Sequence, residues 1–310
     1  MLADRLAEDP RPARAILGED ASWDLGLRLF GAVHHHVLTG LAPAALSGDW
    51  GDFAAALDSQ RASLRRFVRE QGVQTNETQR CVALLPGFLA VARQGGLPLD
   101  LIELGPSAGL NLIFDRYHYR YAEGTFGDPS ALLAFDAVER GRVPASLLAT
   151  PLEIRSRVGI DLSPIDVLSP DDVVLLHSFL WPGLEERRER LDAAIETFRA
   201  APTRPTLIRG DYVDLLAGIL ADRAEDGLTV VYQTASTGYL PSDRYAVLRE
   251  SLERAATDGR PLALVSSRRH DEKETEIEHG WELAIRVWPG PERLAALVDF
   301  HGNWLDWLDA

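Results

Sequence analysis

The residues best suited to chemistry lie together at positions 101–117, LIELGPSAGLNLIFDRY. The apolar run LDLIEL (99–104) reads as a strand with Glu103 near its end, and it runs into Gly105, Ser107 and Gly109. Glycine takes positive φ and lets a ligand or another segment come close. The following LNLIF reads as a helix start, whose first N–H groups and positive dipole end attract polar and anionic groups. Ligands of open α/β sheets sit outside the carboxyl ends of the strands, so this turn is the expected binding corner. Glu103, Gly105, Ser107, Gly109 and Asn111 are its candidate binding residues. Gly105–Gly109 also spells G-x-S-x-G, a pattern that can present Ser107 as a nucleophile.

Three readings of the turn stand side by side. E-x-G-x-x-x-G resembles the first motif of Rossmann-like methyltransferases, where the acid and the glycine loop hold the amino-acid end of S-adenosylmethionine. A serine hydrolase would use Ser107, but its elbow follows several strands, and the 96 residues upstream read as helical. The third reading is a structural turn without a ligand. The glycine spacing does not match the dinucleotide pattern, and no acid ends an obvious second strand about 20 residues on.

The methyltransferase resemblance implies roles further along the chain. Asp211, after the third strand, is expected to meet adenine, and Trp181 to stack on it. Gln233, Thr234 or Tyr239, after the fourth strand, would orient the substrate, with His177 or His301 as the proton acceptor. The second strand, read at 172–180, ends without an acid. Asp161, in GIDLSP, takes the ribose-holding place if that stretch is the second strand instead. Methyl transfer then depends on alignment, and no metal site is expected.

These residues need a scaffold. Residues 1–96 read as helices: one from Trp23, one over 49–72, and one over 75–96 that Asn76 and Gln79 cap and Pro86 bends. This region is expected to act as a cap, with Asn76, Glu77 and Arg80 reaching the cleft. Residues 97–310 alternate short apolar runs with helical patterns. Strands are expected at 99–104, 172–180, 206–210, 228–234 and 261–267, and helices at 184–200, from Asp211 and from Ser242. A closing antiparallel hairpin is expected over 282–302. Residues 117–171 form an insertion that opens with a β-ribbon, where Tyr117, Tyr119 and Tyr121 share a face for packing or for an aromatic substrate pocket. The expected fold is α/β, with a Rossmann-like, mostly parallel sheet, an antiparallel C-terminal hairpin and an N-terminal helical region.

Composition narrows the partners. The 310 residues carry a formal charge of −15 without a basic stripe, which argues against nucleic acid. No apolar run reaches the roughly 18 residues of a membrane span, and the charged N-terminus lacks a signal-peptide core, so a cytoplasmic protein is expected. The single cysteine, Cys81, reads as a small buried hydrophobe. His34, His35 and His36 point about 100° apart on a helix and do not share one ion.

ELGPSAGLNLIFDRYHYRY, the GDPS at 127–130, GIDLSPIDV, FLWPG with the following ERRERL, HGNWLDW and the TNETQR at 75–80 occur together. In combination they resemble an uncharacterised bacterial family common in actinobacteria, domain of unknown function number 2332, over nearly the whole chain. The resemblance implies one conserved unit and carries no activity with it. The function expected is S-adenosylmethionine-dependent methyl transfer to a small molecule. The alternatives are a non-catalytic module for a nucleotide-like ligand or a partner, and a serine hydrolase using Ser107.

Overall fold

Short amphipathic runs punctuated by proline and glycine give short helices at the start of the chain. In the computed structural model, which describes residues 2–18, 24–96 and 98–308, these are α1 (Leu2–Glu8), α2 (Arg11–Leu17), α3 (Leu25–Leu38), α4 (Trp50–Ser59) and α5 (Arg61–Glu70). Trp23, the expected start of the first long helix, lies outside the described residues. The helix expected over 49–72 breaks at Gln60 into α4 and α5.

Next come α6 (Cys81–Gly95) and β1 (Leu99–Leu104), then a 3₁₀ stretch, Leu110–Arg116. β2 (His118–Tyr121), β3 (Gly124–Phe126), β4 (Ala134–Asp136), β5 (Glu139–Gly141) and α7 (Ala145–Leu148) lead to β6 (Ile154–Asp161). Helices and strands then alternate as α8 (Pro170–Ser178), α9 (Glu185–Ala200), β7 (Thr206–Arg209), α10 (Tyr212–Ala221), β8 (Leu228–Gln233), α11 (Ser242–Ala255) and β9 (Leu262–Ser267). The closing strands are β10 (Gly280–Val287), β11 (Arg293–Asp299) and β12 (Leu305–Trp307).

The chain divides into two units, Met1–Thr75 with Ile165–Asp192, and Asn76–Pro164 with Ala193–Ala310. In this division α6 goes with the sheet and α8 with the N-terminal helices. In the first unit Leu29, Val33, Phe53, Leu57 and Leu64 form the apolar centre.

The second unit is mixed α/β, with a nine-stranded, mostly parallel sheet in the order β5-β12-β11-β10-β9-β8-β1-β6-β7. β7, β6, β1, β8 and β9 run parallel to one another, and β9 is antiparallel to β10. Counted along the chain, these five stand in the order 3-2-1-4-5, so the order reverses between β1 and β8. β8 and β9 are buried along their whole length and are accordingly apolar through most of it. On one face Ile102, Leu104, Val231 and Leu264 pack with Val213 and Leu216 of α10 and Leu248 of α11. On the other, Phe88 of α6 stacks on Phe114 at 4.4 Å and meets the edge of Tyr232 at 4.9 Å. β10 and β11 form the expected antiparallel hairpin.

The structure corrects one strand and decides between the two readings of Tyr119. The run 172–180 is not the second strand, because Pro170–Ser178 is helix α8: Ser169 caps it by accepting from the N–H of Asp172, and Pro170 sits in its first turn. The second strand is β6, so the insertion ends before Ile154 and holds the small sheet β3-β2-β4. Tyr119 does not line a pocket: it is fully buried, and its hydroxyl donates to the carbonyl of Phe114 at 2.8 Å.

Candidate strand-end site

The carboxyl ends of β1, β6, β7, β8 and β9 bring together most of the singled-out residues. The turn after β1 is built on left-handed backbone: φ is +73° at Gly105, +54° at Ser107 and +72° at Gly109. A Cβ on Gly105 would stand 2.5 Å from the Cβ of Ser236, so only glycine fits there. Ser236 in turn donates through Oγ to the carbonyl of Leu104 at 2.6 Å. Pro106 rests over Gly159 of β6, where a Cβ would come within 2.6 Å of the proline ring. Ser107 holds a conformation that side chains rarely adopt, which is found where neighbours over-determine the backbone.

Its neighbours do so. The N–H of Ser107 donates to Oδ2 of Asp161 at 2.9 Å, and the N–H of Ser163 donates to Oδ1 of the same carboxylate at 2.8 Å. Asp161 ends β6, so one acid binds the turn of the first parallel strand to the end of the second. On the other side, the N–H of Leu110 donates to Oδ1 of Asn76 at 3.0 Å. Asn76 therefore serves this turn and not the helix behind it; Glu77 caps the 3₁₀ turn Thr78–Arg80 ahead of α6, accepting from the N–H of Gln79 at 3.1 Å. The turn leads into a seven-residue 3₁₀ stretch with a kink at Ile113, not the regular helix expected.

Glu103 is 2% exposed. It accepts from the Tyr232 hydroxyl at 2.9 Å and from the Asn111 side chain. Burial pushes its carboxyl up to about 8, against the pull of those two hydrogen bonds. Cys81, also buried, donates through Sγ to Oδ1 of Asn111 at 3.3 Å. Burial raises its thiol well above the usual range.

Asp211 follows β7. It caps α10 by accepting from the N–H of Val213 at 2.8 Å, and it pairs with Arg244 at 2.7 Å. At the end of β8, Gln233 and Ser267 of β9 hold each other, Nε2 donating to the Ser267 carbonyl at 2.8 Å and Ser267 Oγ donating to Oε1 at 3.1 Å. Arg80 donates to Thr234 Oγ1 at 3.2 Å and to the Phe300 carbonyl at 3.0 Å. Tyr239 lies on the 3₁₀ turn after β8 and is 53% exposed. Burial raises the hydroxyl of Tyr212, beside Ser236, to about 12.

Two candidates are not in this cluster. His177, expected at a strand end, is on α8, and its Nε2 lies 3.0 Å from Asp192 Oδ1. Trp181 packs edge-on against Phe30 at 5.7 Å. Both belong to the first unit. His34 and His36 in that unit contact the Ser178 carbonyl and Ser63 Oγ, so neighbouring rings on the helix serve different partners. Among the described residues no group of three His, Cys, Asp or Glu side chains is placed to hold a metal, and no helix is long and apolar enough to cross a membrane.

Sequence reasoning missed Tyr232, Ser236 and Arg269. Tyr232 reads as one more apolar strand residue. Ser236 and Arg269 act through backbone carbonyls, Arg269 donating to those of Thr237 and Leu240 at 2.6 and 2.9 Å. The general signal is the concentration of buried polar side chains: Asn76, Glu103, Asn111, Gln233, Thr237 and Ser267 are all buried near these strand ends. Buried polar groups are informative because each must be satisfied.

The chain belongs to the family described as "Uncharacterized protein conserved in bacteria (DUF2332)", whose sequence model matches residues 1–307. No curated protein and no solved structure matches it.

Proposed function

We propose that the second unit is a Rossmann-like domain that binds S-adenosylmethionine at the strand-end site and serves methyl transfer to a small molecule. One observation carries the reading: acids stand at the ends of two adjacent parallel strands, Asp161 closing β6 and Asp211 following β7, next to the glycine turn after β1, where the strand order reverses. With β6 rather than 172–180 as the second strand, Asp161 supplies the acid expected at that strand's end.

The donor set fits such a ligand. A carboxylate offers about four acceptor positions. The backbone occupies two on Asp161, leaving capacity for the hydroxyls of a ribose. Asp211 would sit at the adenine end. Glu103 is too deeply buried to be a surface contact; its part is to fix Asn111 and Tyr232 behind the turn. Bound S-adenosylmethionine would supply an activated methyl group on a sulfonium. The chain's own contribution is to hold acceptor and donor in line, with Tyr239 and the Thr234–Arg80 pair at the acceptor side.

A second reading, a structural turn without a ligand, is favoured by the N–H groups of Ser107 and Leu110, which already donate to Asp161 and Asn76. Thermal unfolding with and without S-adenosylhomocysteine tests the main reading. It predicts a ligand-induced rise in Tm that Asp161→Asn diminishes, and labelled methyl transfer to an acceptor from a metabolite extract. A Tm that S-adenosylhomocysteine leaves unchanged supports the second reading. Labelling of Ser107 by a fluorophosphonate, with no effect of S-adenosylhomocysteine, would overturn both in favour of a hydrolase.

A further inference from the structure

The first unit contains a cavity of about 360 Å³. Ile16, Leu25 and Val68, each almost fully buried, form its floor, and Arg28, Arg65 and Arg69 reach it from α3 and α5. Arg65 and Arg69 are one helical turn apart and share a face. Two of the arginines are fixed by backbone. Arg28 Nη1 donates to the Val68 carbonyl at 2.8 Å, and Arg65 Nε donates to the Ile16 carbonyl at 3.1 Å. These bonds satisfy carbonyls in the last turns of α5 and α2 and leave the positive charge in place. Asp24 pairs with Arg28 at 3.0 Å. Neither Arg65 nor Arg69 has a carboxylate partner among the described residues, in a chain with 47 acids to 32 Lys and Arg.

Both guanidinium groups are exposed, so an anion from solution can reach them. Guanidinium groups match carboxylates and phosphates geometrically. Polar groups converging over a small apolar floor, in a space of this size, suit a small molecule. We propose that the cavity binds a small organic acid, its carboxylate or phosphate held by Arg65 and Arg69 and its apolar body against Ile16, Leu25 and Val68.

Calorimetry with octanoate, phenyl phosphate and inorganic phosphate tests this. Either octanoate or phenyl phosphate should bind one to one, and the tighter of the two identifies the head group. Inorganic phosphate should bind at least about tenfold more weakly, because it lacks the body. Arg69→Ala should weaken the tighter ligand about tenfold or more while leaving the ligand-free Tm near the wild-type value, since Arg69 is exposed and holds no other group among the described residues. Its binding of S-adenosylmethionine should be unchanged, which separates this site from the strand-end site. The proposal is overturned if neither organic acid binds, if Arg69→Ala binds as wild type does, or if inorganic phosphate binds as tightly.

Discussion

The N–H of Ser107 donates to Oδ2 of Asp161, 54 residues along the chain and 2.9 Å away. A non-glycine residue with φ of +54° is thus held by an acid on the neighbouring strand, which also takes the N–H of Ser163. Asp161→Ala leaves both N–H groups without their acceptor and should cost about 1–3 kcal/mol. Asp161→Asn keeps one acceptor and should cost less. Urea unfolding of the two variants checks the order; equal stability of Asp161→Ala and wild type would remove the carboxylate from the account of the turn.

Pro86 stands inside α6 without breaking it. Proline lacks the N–H that would reach the carbonyl four residues back, that of Val82. The Tyr121 hydroxyl donates to that carbonyl at 2.7 Å. Tyr121→Phe should therefore destabilise the protein by about 1–3 kcal/mol, the cost of a buried carbonyl left unsatisfied. In a Pro86→Ala background the helix supplies its own donor, and the same substitution should cost clearly less. A double-mutant cycle by chemical denaturation reads this coupling, and purely additive effects would contradict it.

Glu103 gives a pH dependence of definite sign. Its carboxyl titrates at about 8 in the folded chain, above the ordinary value of 4.5. The folded state therefore binds this proton more tightly than the unfolded chain does. The stability tied to the protonated acid is complete below about 4.5 and is lost as pH rises through about 8. Glu103→Gln, which stays neutral, should gain on wild type across that window and hold a constant advantage above it. Paired unfolding curves from pH 4 to 9 measure the difference; a difference independent of pH would show that Glu103 is ionised in the fold.

Much of this was legible in the sequence where local and tertiary preferences agree. β1, β7, β8 and β9 lie within a residue or two of their apolar runs, and Asp211 caps α10 as its position before a helical pattern implies. The stretch 172–180 misled because a short apolar run fits a strand or a buried helix equally. Ser169-Pro170-Asp171-Asp172 carried the helix-start signal that decides it. β6 was the harder strand, since Arg155 and Arg157 interrupt its apolar pattern; they pair with Asp100 and Asp115. Asn76 looked like a cap and instead serves Leu110, 34 residues away, which local spacing does not reveal. The burial of Tyr119 and the lock between Gln233 and Ser267 likewise depend on partners that only the folded chain supplies.

The central claim is tested most directly by isothermal titration of S-adenosylmethionine into the wild-type protein, repeated with Asp161→Ala and Asp211→Asn. Gly105 is unsuitable for this purpose, because any side chain there strikes Ser236 whether or not a ligand binds. The account predicts saturable one-to-one binding that Asp161→Ala weakens about tenfold or more and Asp211→Asn weakens to a smaller extent. Absence of binding to the folded wild-type protein, or binding that Asp161→Ala leaves unchanged, would contradict it.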